Sequence, residues 1–528
     1  MGIPSPLWTR DQVAARILAG ETLVILDNQV IRVPQSWLAS HPGGALAILH
    51  FVGRDATDEV DAFHSQGTLK RMKGYAVGTV ETGTGGWLPL VPPIMNGWIR
   101  RLGAEGKSEW YNEATAFKSS EHTPSAPASE ILLVKRDECA TTTQGPSLST
   151  LQPPPTTLTP KLQAQHSAAY KELHRRVVEA GLYETPFLTG YGPEVVRYSL
   201  LAALAAFFYS KGWLVPSALC LGFFWQQLTF FAHDLGHVGV THNWVYDRLI
   251  AIFVADFLGG LSIGWWVNNH NVHHLVTNHP THDPDIQHIP FFAITPVFFK
   301  SLYSSYYKRV MVFDYFSKVL ISVQHKLYYA VLSLARFNLY ALSYTYLAKT
   351  AFEPKRALGG RWWWWSEIFC LGLFYCWFLS VLGGCGSWRK TLLYLLVSHI
   401  AASPVHVQIV LSHFSRSTED LGVTESFFAR QLRTTVDVIC SPSIEFIHGG
   451  LHLQVTHHMF PRLPRHNLRK ASELVKAYAK EQSLEYAEFG FVEGNGDVLG
   501  VLKSVSDQMK IMGMVADAEI QEAIKGQN

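Results

Sequence analysis

Phe230-Phe-Ala-His-Asp-Leu-Gly-His237 ends a long apolar run, and His270-Asn-Val-His-His274 follows it within the segment that closes at Pro284. His233 and His237 stand at i and i+4, so on a helix both rings leave one face a turn apart and can grip one metal. His270, His273 and His274 add an i, i+3, i+4 set. Far downstream, Gln454-Val-Thr-His457-His458 places another pair after the last long apolar stretch. Each histidine alone reads as a surface or hydrogen-bonded helix residue. Seven of them in three tight clusters, each beside a membrane-like segment, read jointly as a metal site. Neutral imidazole suits iron, copper, zinc and nickel. The chain lacks the repeated Glu-x-x-His pattern of a carboxylate di-iron bundle and has no His-Glu pair for a zinc protease.

The 528 residues are 48% hydrophobic and only 16% charged, a balance that points to partial embedding in a membrane. A net charge of +2 without a basic recognition motif gives no case for nucleic acid. The six cysteines include no CxxC pair, which argues against a disulfide framework or zinc ribbon and for a reducing compartment. Met1 to Arg10 lacks the apolar core of a secretory signal, so targeting is expected from internal segments.

Residues 7–80 read as a small soluble α+β domain, with a strand-like Thr22-Leu-Val-Ile-Leu26 and a turn at Asp27-Asn28. His41-Pro-Gly-Gly44 makes a tight turn with backbone room beside a bulky group. Together with Trp37, Gly53-Arg-Asp55, Phe63-His64-Ser65 and Tyr75-Ala-Val-Gly78, it resembles cytochrome b5 from end to end. That resemblance implies haem b held axially by His41 and His64. Two imidazoles leave no open iron position, so such a group carries electrons. Residues 113–159, rich in Ser, Thr and Pro, are expected to be a disordered linker that gives the haem domain reach.

Lys161 to Ala180 reads as an amphipathic helix leading into a membrane unit over 190–490. Val195 to Tyr209, short and holding Arg197, pairs with Gly212 to Ala232; Ile368 to Gly383 pairs with Leu392 to Leu411. Leu249 to Val267, with Asp256, is placed in the interface or against protein. Phe291 to Phe299 and Tyr328 to Leu347 fit surface-lying helices or spans. The expected fold is thus multi-domain, an α+β domain tethered to an all-α integral membrane domain of about four spans. Two hairpins return the chain to one face, which puts every histidine cluster beside the haem domain.

The three clusters resemble the histidine boxes of membrane fatty-acyl and sphingolipid desaturases. Gln454 stands where most such enzymes have histidine, and with the cytochrome b5 domain this marks the front-end desaturase group. The resemblance implies two irons held by His233, His237, His270, His273, His274, His457 and His458, with His413 in Leu411-Ser-His-Phe414 as an eighth ligand. Gln454 is a ligand or a neighbour of one. Asp234 and Asp283 orient ring nitrogens or are ordinary caps and turn residues. The implied reaction is O2-dependent desaturation of an alkyl chain, with NADH-derived electrons entering through a separate NADH-cytochrome b5 reductase. The implied place is the endoplasmic reticulum membrane, multi-pass, with haem domain and boxes on the cytosolic face.

Gly264 to His274 running into Thr281-His-Asp-Pro-Asp-Ile-Gln-His288 most resembles fungal sphingolipid Δ8 desaturases. This implies a trans double bond at C8 of the long-chain base of ceramide. The alternatives are a Δ6 front-end fatty-acyl desaturase, a lipid hydroxylase and, outside enzymes, a haem-binding membrane scaffold. Phe223-Phe-Trp225, Trp265-Trp266 and Trp362 to Trp365 line a substrate tunnel or belong to the core and membrane belt.

Overall fold

Four short strands organise the N-terminal unit of the computed structural model, which describes residues 6–83, 85–102, 108–115, 145–353 and 360–525. Their order is Leu7–Trp8, Ala76–Val80, Gln29–Arg32, Leu23–Leu26, the first pair parallel and the others antiparallel. The two-residue turn between the last two strands puts Asp27 and Asn28 at φ 48° and 61°, as the right-handed twist of a hairpin demands. Leu23–Leu26 is buried on both faces. Leu23 and Ile25 pack against Val13 and Ile17, while Val24 and Leu26 pack with Leu38, Phe51 and, from the membrane unit, Leu275.

Of the expected linker 113–159, residues 116–144 lie outside the described residues. Its two ends are fixed in place. Glu113 is 1% exposed and accepts hydrogen bonds from Arg101, Lys308 and the Tyr303 hydroxyl. Leu151 is sealed into the haem-type domain's core, and its carbonyl accepts the Val91 N–H. A paired carboxylate and one buried leucine order these ends, although the surrounding composition is polar.

The helix Pro160–Glu179 buries Tyr170, Leu173 and Val177, an i, i+3, i+7 stripe. Gly192–Ser210 and Leu214–Gly236 then form an antiparallel hairpin. A second is made by Arg361–Gly383 with Trp388–Ala401, prolonged by Pro404–Leu411. Among the described residues, Leu214–Gly236, Arg361–Gly383 and Trp388–Leu411 are long and apolar enough to cross a bilayer. Trp244–Leu258 and Ile263–Leu275, bent by 112°, make a fourth candidate if counted as one. Gly192–Ser210, which holds the expected span 195–209, is not among these. Its first turns carry Glu194 and Arg197, which bond Arg465 and Gln227. Arg465 also lies 3.2 Å from Asp234, so one guanidinium holds both open ends of this hairpin.

One expectation is corrected. Phe291–Phe299 is a turn ending in a short 3-10 helix, since Pro290 and Pro296 bar a continuous α-helix while Phe292, Ala293 and Phe298 pack inward. Within the mostly helical unit, Leu302–Ser304 pairs with Arg309–Met311 and Asp437–Ile439 with Glu488–Gly490. One more element follows the expected 190–490 stretch. A 35-residue helix, Phe491–Lys525, buries Val498, Leu502 and Val505 in a cluster with Tyr328 and Leu332.

Tyr170 tests the packing. It is fully buried, donates its hydroxyl to the Met459 carbonyl at 2.8 Å and stacks on Phe460. Tyr170→Phe is expected to cost about 1 kcal/mol, and Tyr170→Ala about 3–5 kcal/mol. Thermal unfolding of the purified protein in detergent should rank wild type, Phe and Ala in that order; equal Tm values would remove Tyr170 from the core.

Candidate metal centre

Each histidine box sits on an element whose start or end is fixed by a buried charged group. His233 lies in the last turn of Leu214–Gly236 and His237 caps it, beside the Asp234 carboxylate that meets Arg465 and the Tyr191 hydroxyl. The second box rides on Ile263–Leu275. There Ser262 caps the Trp265 N–H, and Glu367 accepts from Arg248, the Ser262 hydroxyl and the Gly264 N–H. An acidic group at a helix N-terminus suits the local dipole. The third box forms Gln454–Met459, whose Val455 N–H donates to Asp437 at 2.9 Å while Tyr486 donates to the other carboxylate oxygen. Burial pushes the Asp437 carboxyl up to about 7.

These elements bring all eight predicted histidines together. The ligand nitrogens of His233, His237, His270 and His457 lie within 4.8 Å of one another, and so do those of His273, His413 and His458. His274 stands between the groups, its ring 4.8 Å from His237 and 4.0 Å from His458. Six of the eight are buried, and the side chains of His233 and His270 are 13% exposed.

The outer partners leave inward-facing nitrogens unspent. His273 Nδ1 donates to Asp283 at 2.9 Å, His458 Nδ1 to Gln431 Oε1 at 3.1 Å and His413 Nδ1 to the Thr434 carbonyl at 3.3 Å. Ring nitrogens of His233, His237, His274, His457 and His458 are buried without a hydrogen-bond partner. Unpaired buried nitrogens are costly, and imidazoles oriented from behind are what a metal site requires. The donor set fits two metal ions. Asp283 also accepts from the Asn278 and Asp285 backbone N–H groups, so it both caps a turn and faces a ring. Asp234 reaches His233 Nδ1 only at 3.4 Å, and its main partners are Arg465 and Tyr191. Gln454 is buried at the start of the third-box helix. Gln431 was missed. It lies on Phe427–Thr434, and its Nε2 donates to the His274 carbonyl, tying the second box to the third. No local motif marks it, because its partners are remote in the chain.

In the N-terminal domain, His41 and His64 face each other with ring centroids 6.1 Å apart. Their Nδ1 atoms pair with the Gly44 and Val60 carbonyls at 3.0 Å, turning the Nε2 atoms inward. Burial lowers both pKa values, that of His64 to about 4, which keeps the rings neutral as ligands must be. The facing rings leave room for one metal ion between them, which His41 and His64 would hold. The residues therefore fit a bis-histidine haem.

The two sites adjoin. Phe63 presents its ring edge-on to His274 at 5.8 Å and tilted to His237 at 6.4 Å. A cavity lined by Pro42, Leu235, Val238, Trp244, Val267 and Trp363 opens beside the first and second boxes. Of the tryptophans, Trp225 and Trp265 are buried, while Trp362 and Trp365 are exposed. Trp266 stacks on His270 at 4.4 Å and meets His233 and His237 edge-on.

Comparison with known proteins agrees with this layout. The model of the family described as fatty acid desaturase matches residues 211–490, and that of the cytochrome b5-like heme/steroid binding domain matches residues 9–81. A Delta 8-(E)-sphingolipid desaturase of Emericella nidulans is 42% identical, the alignment covering 96% of this chain and 95% of the relative. A protein of that description from Komagataella phaffii is 39% identical over 96% and 94%. The Delta(8)-fatty-acid desaturase 1 of Arabidopsis thaliana is 28% identical over 95% and 94%. The chain belongs to the fatty acid desaturase family, as a member fused to an N-terminal cytochrome b5-like domain.

Proposed function

We propose that this enzyme places a trans double bond at C8 of the long-chain base of ceramide or a related sphingolipid. The observation that carries the reading is the double cluster of eight histidines set against a haem-type pocket. It occurs in a chain that aligns over nearly its whole length with Delta 8-(E)-sphingolipid desaturases. His233, His237, His270 and His457 would hold one iron and His273, His413 and His458 the second, with His274 between them. The two irons, when bound, supply O2 activation, so that one –CH2–CH2– unit, O2, two electrons and two protons become –CH=CH– and two waters.

The chain's own residues supply position and charge control. Asp283, Gln431 and the Thr434 carbonyl fix ring orientation from behind. Trp266 covers one side of the first group, and the cavity beside Leu235 and Val267 has an apolar wall suited to an alkyl chain and a polar wall of Arg248, Glu353, Arg361 and Glu367. All methylenes of such a chain are chemically alike, so the choice of carbon rests on how far the chain reaches past these walls. His41 and His64 would hold haem b, with electrons arriving singly from NADH through a separate cytochrome b5 reductase. The endoplasmic reticulum membrane, with haem domain and boxes on its cytosolic face, is the proposed setting. Both ends of the first hairpin meeting at Arg465 support a one-sided arrangement.

Lipid mass spectrometry of cells lacking Δ8 activity, with and without this chain, is expected to show a new C8 double bond in the long-chain base. A Δ6 bond in acyl chains, or a hydroxyl, would replace the substrate or the reaction. His457→Ala is expected to abolish the product with the haem spectrum intact, and His64→Ala to abolish the haem spectrum itself; a normal spectrum in His64→Ala would sink the axial role. Asp283→Asn should lower iron affinity by about 10–100-fold, read by metal content after graded chelation, and unchanged retention would confine Asp283 to its turn.

A further inference from the structure

The helix Ile263–Leu275 has two working faces. His270, His273 and His274 turn toward the metal groups, while Asn268, Asn271 and Leu275, at i, i+3 and i+7, meet the haem-type domain. A Cβ on Gly43 would lie 2.9 Å from the Asn271 amide, and one on Gly44, at φ +82°, would strike the Asn268 amide. The turn beside His41 thus lies at backbone distance from the second box. Lys171 pairs with Asp27 and Ser167 donates to Asp58 on the same side of the domain. At the centre of this contact is Phe63. It precedes the axial candidate His64 by one peptide bond, and its ring lies against His237 and His274, one from the first box and one from the second.

We propose that Phe63 is the positioning and coupling residue between the haem and the paired metal ions. This rests on the functional reading above. The Phe63 ring packs against one histidine of each box, while its backbone leads by one peptide bond into His64, so packed and bonded atoms run from the boxes toward the axial candidate. Electron tunnelling decays less steeply through packed atoms than across a gap, so the ring sets the coupling. In each transfer a ferrous haem is oxidised to ferric and one ferric ion of the histidine site is reduced to ferrous. Two such transfers, each resupplied by a flavin reductase using reduced nicotinamide, meet the need of one double bond. Tyr170, Phe427 and Phe460 pack near the same seam, but Phe63 is the haem-domain ring that touches the box histidines among the described residues.

The test uses full-length holoenzyme in lipid nanodiscs, as wild type, Phe63→Leu and Phe63→Trp. Haem is reduced first, then mixed with substrate and oxygen, and its reoxidation is followed by visible absorption. Phe63→Leu is expected to keep the haem spectrum, the rate of haem reduction by the reductase and the iron content. Reoxidation should slow at least about tenfold, within the loss of about a hundredfold that a 1 Å misplacement can bring. Phe63→Trp should restore most of it. Hydrogen exchange over residues 263–275 in the iron-free protein reports docking separately and should match wild type in Phe63→Leu. Unchanged reoxidation in Phe63→Leu overturns the proposal. Slowing together with loss of protection over 263–275 also overturns it, because Phe63 would then only hold the domains together. Wild-type haem that substrate and oxygen fail to reoxidise would instead defeat the electron-donor reading on which the proposal stands.

Discussion

Eight imidazoles gathered in one buried space, several with ring nitrogens spent on no hydrogen bond, impose a desolvation cost that the rest of the fold must sustain. They come from four separate stretches of chain, so the cost is met only if those stretches are locked in register. Three buried anchors do this. Arg465 clamps Asp234 and Glu194 at the open end of the first hairpin, Glu367 holds the start of the second-box helix, and Asp437 holds the start of the third. The ionic contacts among these, of Arg465 and Glu367, add little net stability, because desolvation offsets most of the attraction. Their effect here is geometric, with each anchor setting where one box begins.

The parts of this arrangement that were legible in sequence are those written in short-range spacing. The i, i+4 and i, i+3, i+4 histidines, the His-Pro-Gly-Gly turn and the continuous apolar strand at Leu23–Leu26 declare themselves within a few residues. Glu367, Asp437 and Gln431 do not, since each acts on a partner remote in the chain and has no local pattern to distinguish it from any other polar helix or strand residue. The aromatic run 291–299 misled for a related reason. Its composition suits a helix, but two prolines and an inward-packing Phe292 and Phe298 outweigh composition. The long helix Phe491–Lys525 was overlooked because its buried Val498, Leu502 and Val505 make a stripe only when a facing helix is known to exist.

The linker's described ends are bound, through Glu113 to Lys308 and through Leu151 to the N-terminal domain's own core. The domain rests on the box-bearing surface through apolar and amide contacts rather than through charge alone. Asp58 and Glu59 are buried in this seam, so their solvation is given up for contacts within the same chain. Such a contact is unlike a diffusive encounter between separate proteins. It holds the two histidine sites beside each other, so the proposed transfer would need no search step.

Leu275 gives this seam a further meaning. It belongs by sequence to the second-box helix, yet it completes the apolar cluster formed by Val24, Leu26, Leu38 and Phe51. The border between the two modules as read along the chain is therefore not the border between their folding units. A haem module transplanted from a relative would have to match the knob that Leu275 offers, whatever the length of the tether. Inheritance of the two modules as a pair then follows from a shared interior as much as from a shared gene.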